Sequence, residues 1–106
     1  MTLLIQRAIG AVAHEFGVDV EDLLSHRRGP ALTYRQIGYY LARHTTRATY
    51  PQIGRAFGNR DHTTIMHGVV RAEQTMRADP DLMVRVLLLK RRLRREAELE
   101  REIRAA

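Results

Sequence analysis

The residues best equipped for chemistry lie together in the run Gly54 to His67, GRAFGNRDHTTIMH. Asp61, His62, Thr63 and Thr64 open a helical pattern directly after a Gly-Asn-Arg turn. Short polar side chains at a helix start have two uses. They cap orphan backbone N–H groups, or they reach outward to a polar surface such as base edges in the major groove of DNA. The second use is expected here, and for Asp61 the two are compatible. Asp, His and Thr are also types found in catalytic constellations, but neighbours on a helix start diverge where catalysis needs convergence. No enzyme is expected. His62 and His67 are five residues apart and share no helical face, and His14, His26 and His44 are scattered. A metal site needs converging ligands, so neither metal nor cofactor is expected.

The elements that must position this run read as helices throughout. Thr2–Phe16 carries Leu4, Ala8, Ala11, Val12 and Glu15 on one stripe, with Gly17 placed as a C-cap. Asp19 is placed to cap a short helix, Val20–Leu24, with Val20, Leu23 and Leu24 inward. Ser25 to Pro30 breaks the pattern. Its Arg27-Arg28 pair is either a solvated dipeptide or an arm that approaches phosphates or the minor groove. Thr33-Tyr34-Arg35-Gln36 has capping-box spacing and predicts a helix from Tyr34 to about His44, burying Ile37, Tyr40 and Leu41 while Arg35 and Arg43 project. Tyr39 and Tyr40 read as packing residues rather than as a stacking platform for single strands.

Thr49-Tyr50-Pro51-Gln52 repeats the capping box with proline in the first turn. A short helix then runs to Phe57, with Ile53, Ala56 and Phe57 inward, and Gly58 ends it. Asn59 and Arg60 turn the chain, Asp61 caps, and a fifth helix runs to about Ala78 with Ile65, Val69, Ala72 and Met76 facing inward. Short helix, glycine-containing turn and longer helix make a helix-turn-helix pattern. Asp79-Pro80 starts the last helix, which carries Leu82, Val86, Leu89 and Leu93 as a seam that is lost at Glu96. Beyond it, Arg92–Glu96, Arg94–Glu98 and Glu100–Arg104 are spaced as i,i+4 pairs on a solvated tail.

Composition agrees. The chain has 106 residues, 44% of them hydrophobic, and no window of strand period two, so an all-α fold is predicted, a compact helical domain with a helix-turn-helix and a longer C-terminal helix. Residues 1–79 form the domain and residues 80–106 the C-terminal helix and tail. The net charge of +6 calls for an anionic partner, nucleic acid first and a membrane surface second. There is no cysteine, hence no disulfide or thiolate site, and no apolar run of membrane-spanning length. A cytoplasmic, nucleoid-associated protein is expected.

The run Tyr50 to His67, YPQIGRAFGNRDHTTIMH, resembles the signature of the C-terminal DNA-binding domain of the bacterial replication initiator DnaA. The likeness extends upstream through Val20–Ser25, Arg27-Arg28, Arg35-Gln36 and Leu41-Ala42-Arg43, and covers about Ala11 to Glu73. It implies a helical domain binding duplex DNA at an A/T-rich box. By that resemblance Asp61, His62 and Thr63 read base edges with Arg35, Tyr50 and Pro51, the last two beside thymine methyls. Thr64, Gln36, Arg43 and Arg60 hold the backbone, and Arg28 enters the minor groove. Such roles suit the chemistry, since Asp accepts from cytosine, Arg bonds guanine bidentately, and a helix N-terminus favours phosphate.

Two departures accompany the likeness. The loop Gly29-Pro30-Ala31-Leu32-Thr33-Tyr34 is a residue shorter than in the family and lacks its further basic residues. No Walker-type phosphate loop occurs in the chain. The expectation is therefore a stand-alone transcription regulator, such as an activator of a phage-like or gene transfer agent cluster, that contacts RNA polymerase or another regulatory protein through its last helix. The alternatives are a replication modulator or excised initiator domain on the same DNA boxes and, from another class, a helical protein-interaction adaptor.

Overall fold

In the computed structural model, which describes residues 2–106, six helices follow in order: α1 (Thr2–Phe16), α2 (Val20–Leu24), α3 (Ala31–Thr45), α4 (Tyr50–Ala56), α5 (His62–Ala78) and α6 (Pro80–Ala105). Met1 lies outside the described residues. No strand occurs among them.

α3 is the central helix and packs against all five others. That position explains why its buried face is wider than a single stripe predicts. Arg35, Gly38, Tyr39 and Ala42 are buried as well as Ile37, Tyr40 and Leu41. The start of α3 also differs from expectation. Gly29, at φ +129°, turns the chain into Pro30, whose φ of −56° is already helical, and the Leu32 N–H bonds the Gly29 carbonyl at 2.9 Å. Proline's fixed φ begins the helix early, so Thr33 lies inside it and caps nothing.

α1 buries Ala8, Ala11 and Val12 as predicted, and also Ile5 and Ile9. Gly17 is left-handed at its end, with φ +63°. In α2 Leu23 is fully buried, but Val20 is exposed and Asp19 makes no side-chain cap bond; five residues are too few to bury more than one flank. α6 runs alongside α3 in the same direction and antiparallel to α1. Lys90 Nζ donates to Tyr40 Oη at 3.0 Å, Arg94 Nε donates to the His44 carbonyl at 3.0 Å, and Arg85 and Glu100 pair with Glu15 and Arg7 at 3.0 Å.

Val86, Leu89 and Leu93 join the core that α1, α3 and α5 share. The seam does not stop at Glu96, because Ala97 is buried one turn further on. The Arg92–Glu96 and Glu100–Arg104 pairs form, at 3.5 and 3.2 Å. Arg94 instead spends its donor on α3, so the Arg94–Glu98 pair gives way to a bond that ties two helices.

Candidate nucleic-acid interface

The site is built on two capped helices. Thr49 caps α4: its Oγ1 accepts from the Gln52 N–H at 3.3 Å while Gln52 Oε1 accepts from the Thr49 N–H at 2.8 Å, the reciprocal box read from the sequence. Pro51 sits in the first turn. The chain then turns back sharply, and the Arg60 N–H bonds the Gly54 carbonyl at 2.8 Å. A Cβ on Gly54 would drive into the Arg60 carbonyl. Gly58, at φ +83°, and Asn59, at φ +60°, make the left-handed turn itself.

Asp61 then caps α5, its Oδ1 accepting from the Thr63 N–H at 3.1 Å, and the same oxygen lies 3.1 Å from His62 Nδ1. The backbone N–H of Thr63 is the largest cause holding the Asp61 carboxyl below its ordinary value, so it is an anion at neutral pH. Capping is thus a real job of Asp61, whose carboxylate also stays exposed at the start of α5. Asp61, His62, Thr63 and Thr64 are all exposed.

Opposite the buried stripe Ile65, Val69, Ala72 and Met76, the exposed face of α5 continues past the predicted residues through Met66, His67, Val70 and Arg71. Gln36, Thr64, His67 and Arg71 line a groove between α3 and α5. Gly68 makes that close approach possible, since a Cβ there would meet the Tyr39 ring at 2.5 Å. Sequence reasoning passed over Met66, His67, Val70 and Arg71, although they complement the apolar stripe at helical spacing. Met66 and Val70 are the informative pair: large apolar side chains left exposed on a polar face, suited to thymine methyls.

Around this face the other predicted residues divide. Arg43 is exposed, its guanidinium 4.4 Å above the Tyr50 ring and its Nη1 donating to the Ala48 carbonyl at 3.0 Å. It is a cation fixed beside the start of α4, next to exposed Pro51. Arg28 is exposed in the link between α2 and α3. Gln36 is half-buried at the groove edge.

Arg35 corrects the expectation that it projects. It is only 1% exposed, and its Nε and Nη2 donate to the carbonyls of Leu23 and Asp22 at 2.9 and 2.7 Å. A guanidinium spent on two carbonyls inside the fold is not placed to read a base edge. Burial foremost, and then the nearby Arg60 cation, lower its pKa. Arg60 is half-buried, donating from Nε to its own turn at Phe57 O, 2.9 Å, and from Nη2 to the Ser25 carbonyl.

No group of three or more potential metal ligands occurs among the described residues, and none of their helices is long and apolar enough to cross a membrane. A short capped helix, a left-handed turn and a longer helix with an exposed polar start define a helix-turn-helix domain of basic character. The comparisons narrow that class. The family described as "Bacterial dnaA protein helix-turn-helix" matches residues 5–71, and the chain belongs to it. Chromosomal replication initiator proteins DnaA from Brucella abortus, Anaplasma marginale and Bartonella quintana are 42, 44 and 43% identical over 81, 78 and 88% of the chain. The chain spans 18% of the length of each.

Proposed function

We propose that this DnaA-type helix-turn-helix domain reads duplex DNA with the exposed start of α5 and acts as a transcription regulator. What supports the DNA reading is the exposed polar start of α5 at Asp61, His62 and Thr63, the Gln36–Thr64–His67–Arg71 groove beside it, and the cation Arg43 held over Tyr50 at the start of α4. Asp61, His62 and Thr63 take the base edges, with Tyr50 and Pro51 against thymine methyls. Thr64, Gln36 and Arg43 take phosphates, and Arg28 takes the minor groove. Arg35 acts from inside the fold, by bracing α2.

The regulatory part rests on α6. It packs on α1, α3 and α5 and not on α2 or α4, so its outward side stands clear of the α4–α5 turn. That side carries exposed Val84, Leu87 and Leu88, a surface for RNA polymerase or another regulatory protein. The place of action is the cytoplasmic nucleoid. A genome-wide occupancy map combined with transcript changes on deletion tests this. Discrete peaks at promoters whose transcripts respond support the reading. Peaks confined to replication-origin boxes favour instead a modulator competing with the initiator, a reading for which the identity to initiator proteins speaks. Absence of peaks leaves the adaptor.

A further inference from the structure

A cluster of polar contacts outside the exposed face of α5 lies where the root of the Arg27-Arg28 link meets the α4–α5 turn. α2 ends at Leu24, and helix ends leave carbonyls without intrahelical partners. Here two guanidiniums serve that end of the chain: Arg35 takes the carbonyls of Asp22 and Leu23, and Arg60 takes that of Ser25. Arg60 is bonded at the same time to its own turn, through Phe57 O. The link is fastened a second time, since His26 Nε2 lies 3.1 Å from the Gly58 carbonyl. The surfaces are in close contact as well, because a Cβ on Gly58 would come within 2.6 Å of the Leu24 carbonyl.

The consequence is geometric. The link from Ser25 to Gly29 is fixed at one end by Arg60 and His26 and at the other by the start of α3. Arg28 stands three residues from the fastened Ser25 carbonyl, and Thr63 stands three residues from Arg60. One guanidinium therefore sets the spacing between a candidate minor-groove arm and a candidate major-groove helix. Fixing two contact points in advance removes an ordering cost that a free arm would bear on binding.

We propose that Arg60 and His26 form a latch that holds the Arg27-Arg28 arm in register with the entrance of α5, so that both engage one duplex as a single rigid reader. Arg60 is thus a positioning residue for Arg28 rather than a DNA contact. This rests on the DNA-reading function proposed above.

The test is a double-mutant cycle with the full chain, using a duplex that the unaltered protein enriches from a randomised library. Arg28→Ala weakens binding about tenfold in the parent. In an Arg60→Gln background, already weakened, the same change costs less than about twofold. Thr63→Ala, a control at a residue that makes none of the latch's hydrogen bonds, costs the same factor in both backgrounds. A general loss of structure would instead diminish both effects together. Should Arg60→Gln fail to fold, His26→Ala, at an exposed position, carries the same cycle with the same pattern expected at reduced size. Equal Arg28→Ala losses in latched and unlatched backgrounds, or no loss in the parent, overturn the latch while leaving the α5 reading in place. Failure of the parent to enrich any duplex overturns the DNA reading itself.

Discussion

At Asp61 one side chain holds two jobs, and chemistry separates them. Asn caps a helix as well as Asp does, whereas Ala does not. Asp61→Asn therefore keeps stability within about 0.5 kcal/mol, and Asp61→Ala loses about 1 kcal/mol. Both remove the carboxylate proposed to accept from a base, so both are expected to blunt discrimination between the preferred duplex and a base-substituted one. A melting curve beside a competition titration reads the two effects apart. If Asp61→Asn discriminates like the parent, Asp61 is a cap and nothing more. Residue identity made this capped, exposed helix start legible in the sequence, because Asp61 to Thr64 follow a glycine turn and open a helix. Arg35 departs from the expectation for an equally physical reason. The stripe Ile37, Tyr40 and Leu41 leaves it on an outward face, whereas α3 packs against all five other helices and buries a second flank.

Among the elements, the α4–α5 turn and α6 show where sequence patterns stop. Helical periodicity yields the buried stripe of α5, and capping residues yield the starts of α4, α5 and α6. What periodicity does not carry is tertiary approach: the closeness of Gly54 to Arg60, or of Gly68 to Tyr39, is a property of two segments. Gly54→Ala forces the turn open, with an expected cost of about 1–3 kcal/mol in denaturant unfolding; an unchanged midpoint sinks this account of the turn. In α6, neighbouring leucines have opposite fates. Leu89 is 3% exposed and Leu88 60%. Leu89→Ala is predicted to cost about 2–5 kcal/mol and Leu88→Ala less than about 0.5 kcal/mol. Similar losses at both positions would mean that α6 is not seated with its Val86–Leu89–Leu93 seam inward.

For the whole molecule, charge links stability to pH at the α3–α6 seam. Burial first, and then Lys90, depress the pKa of His44, with Arg94 and Arg43 acting the same way and Glu73 of α5 opposing them. The unfolded chain protonates this imidazole near pH 6.5, the folded one only at lower pH. In that window the unfolded state binds more protons, so stability falls as pH drops below about 6.5 and is unaffected by His44 above it. His44→Gln should flatten the decline below about pH 6.5 relative to the parent; parallel curves would remove His44 from the account.

The net charge of +6 raises a separate question, whether affinity for DNA comes from a site or from basicity alone. Counterion release makes the logarithm of affinity fall linearly with the logarithm of salt, with a slope set by the number of phosphates neutralised. A diffuse cation cloud and a built site differ in which arginines set that slope. Arg43 is held over Tyr50 at the edge of the reading face, while Arg92 is paired with Glu96 on a helix that does not touch α4. Arg43→Ala should weaken binding to all duplexes alike and reduce the slope by about 1, whereas Arg92→Ala, an equal change in net charge, leaves it unchanged. Equal flattening by the two substitutions would mean that position on the fold is irrelevant and that the chain is a basic adaptor without a DNA-reading face.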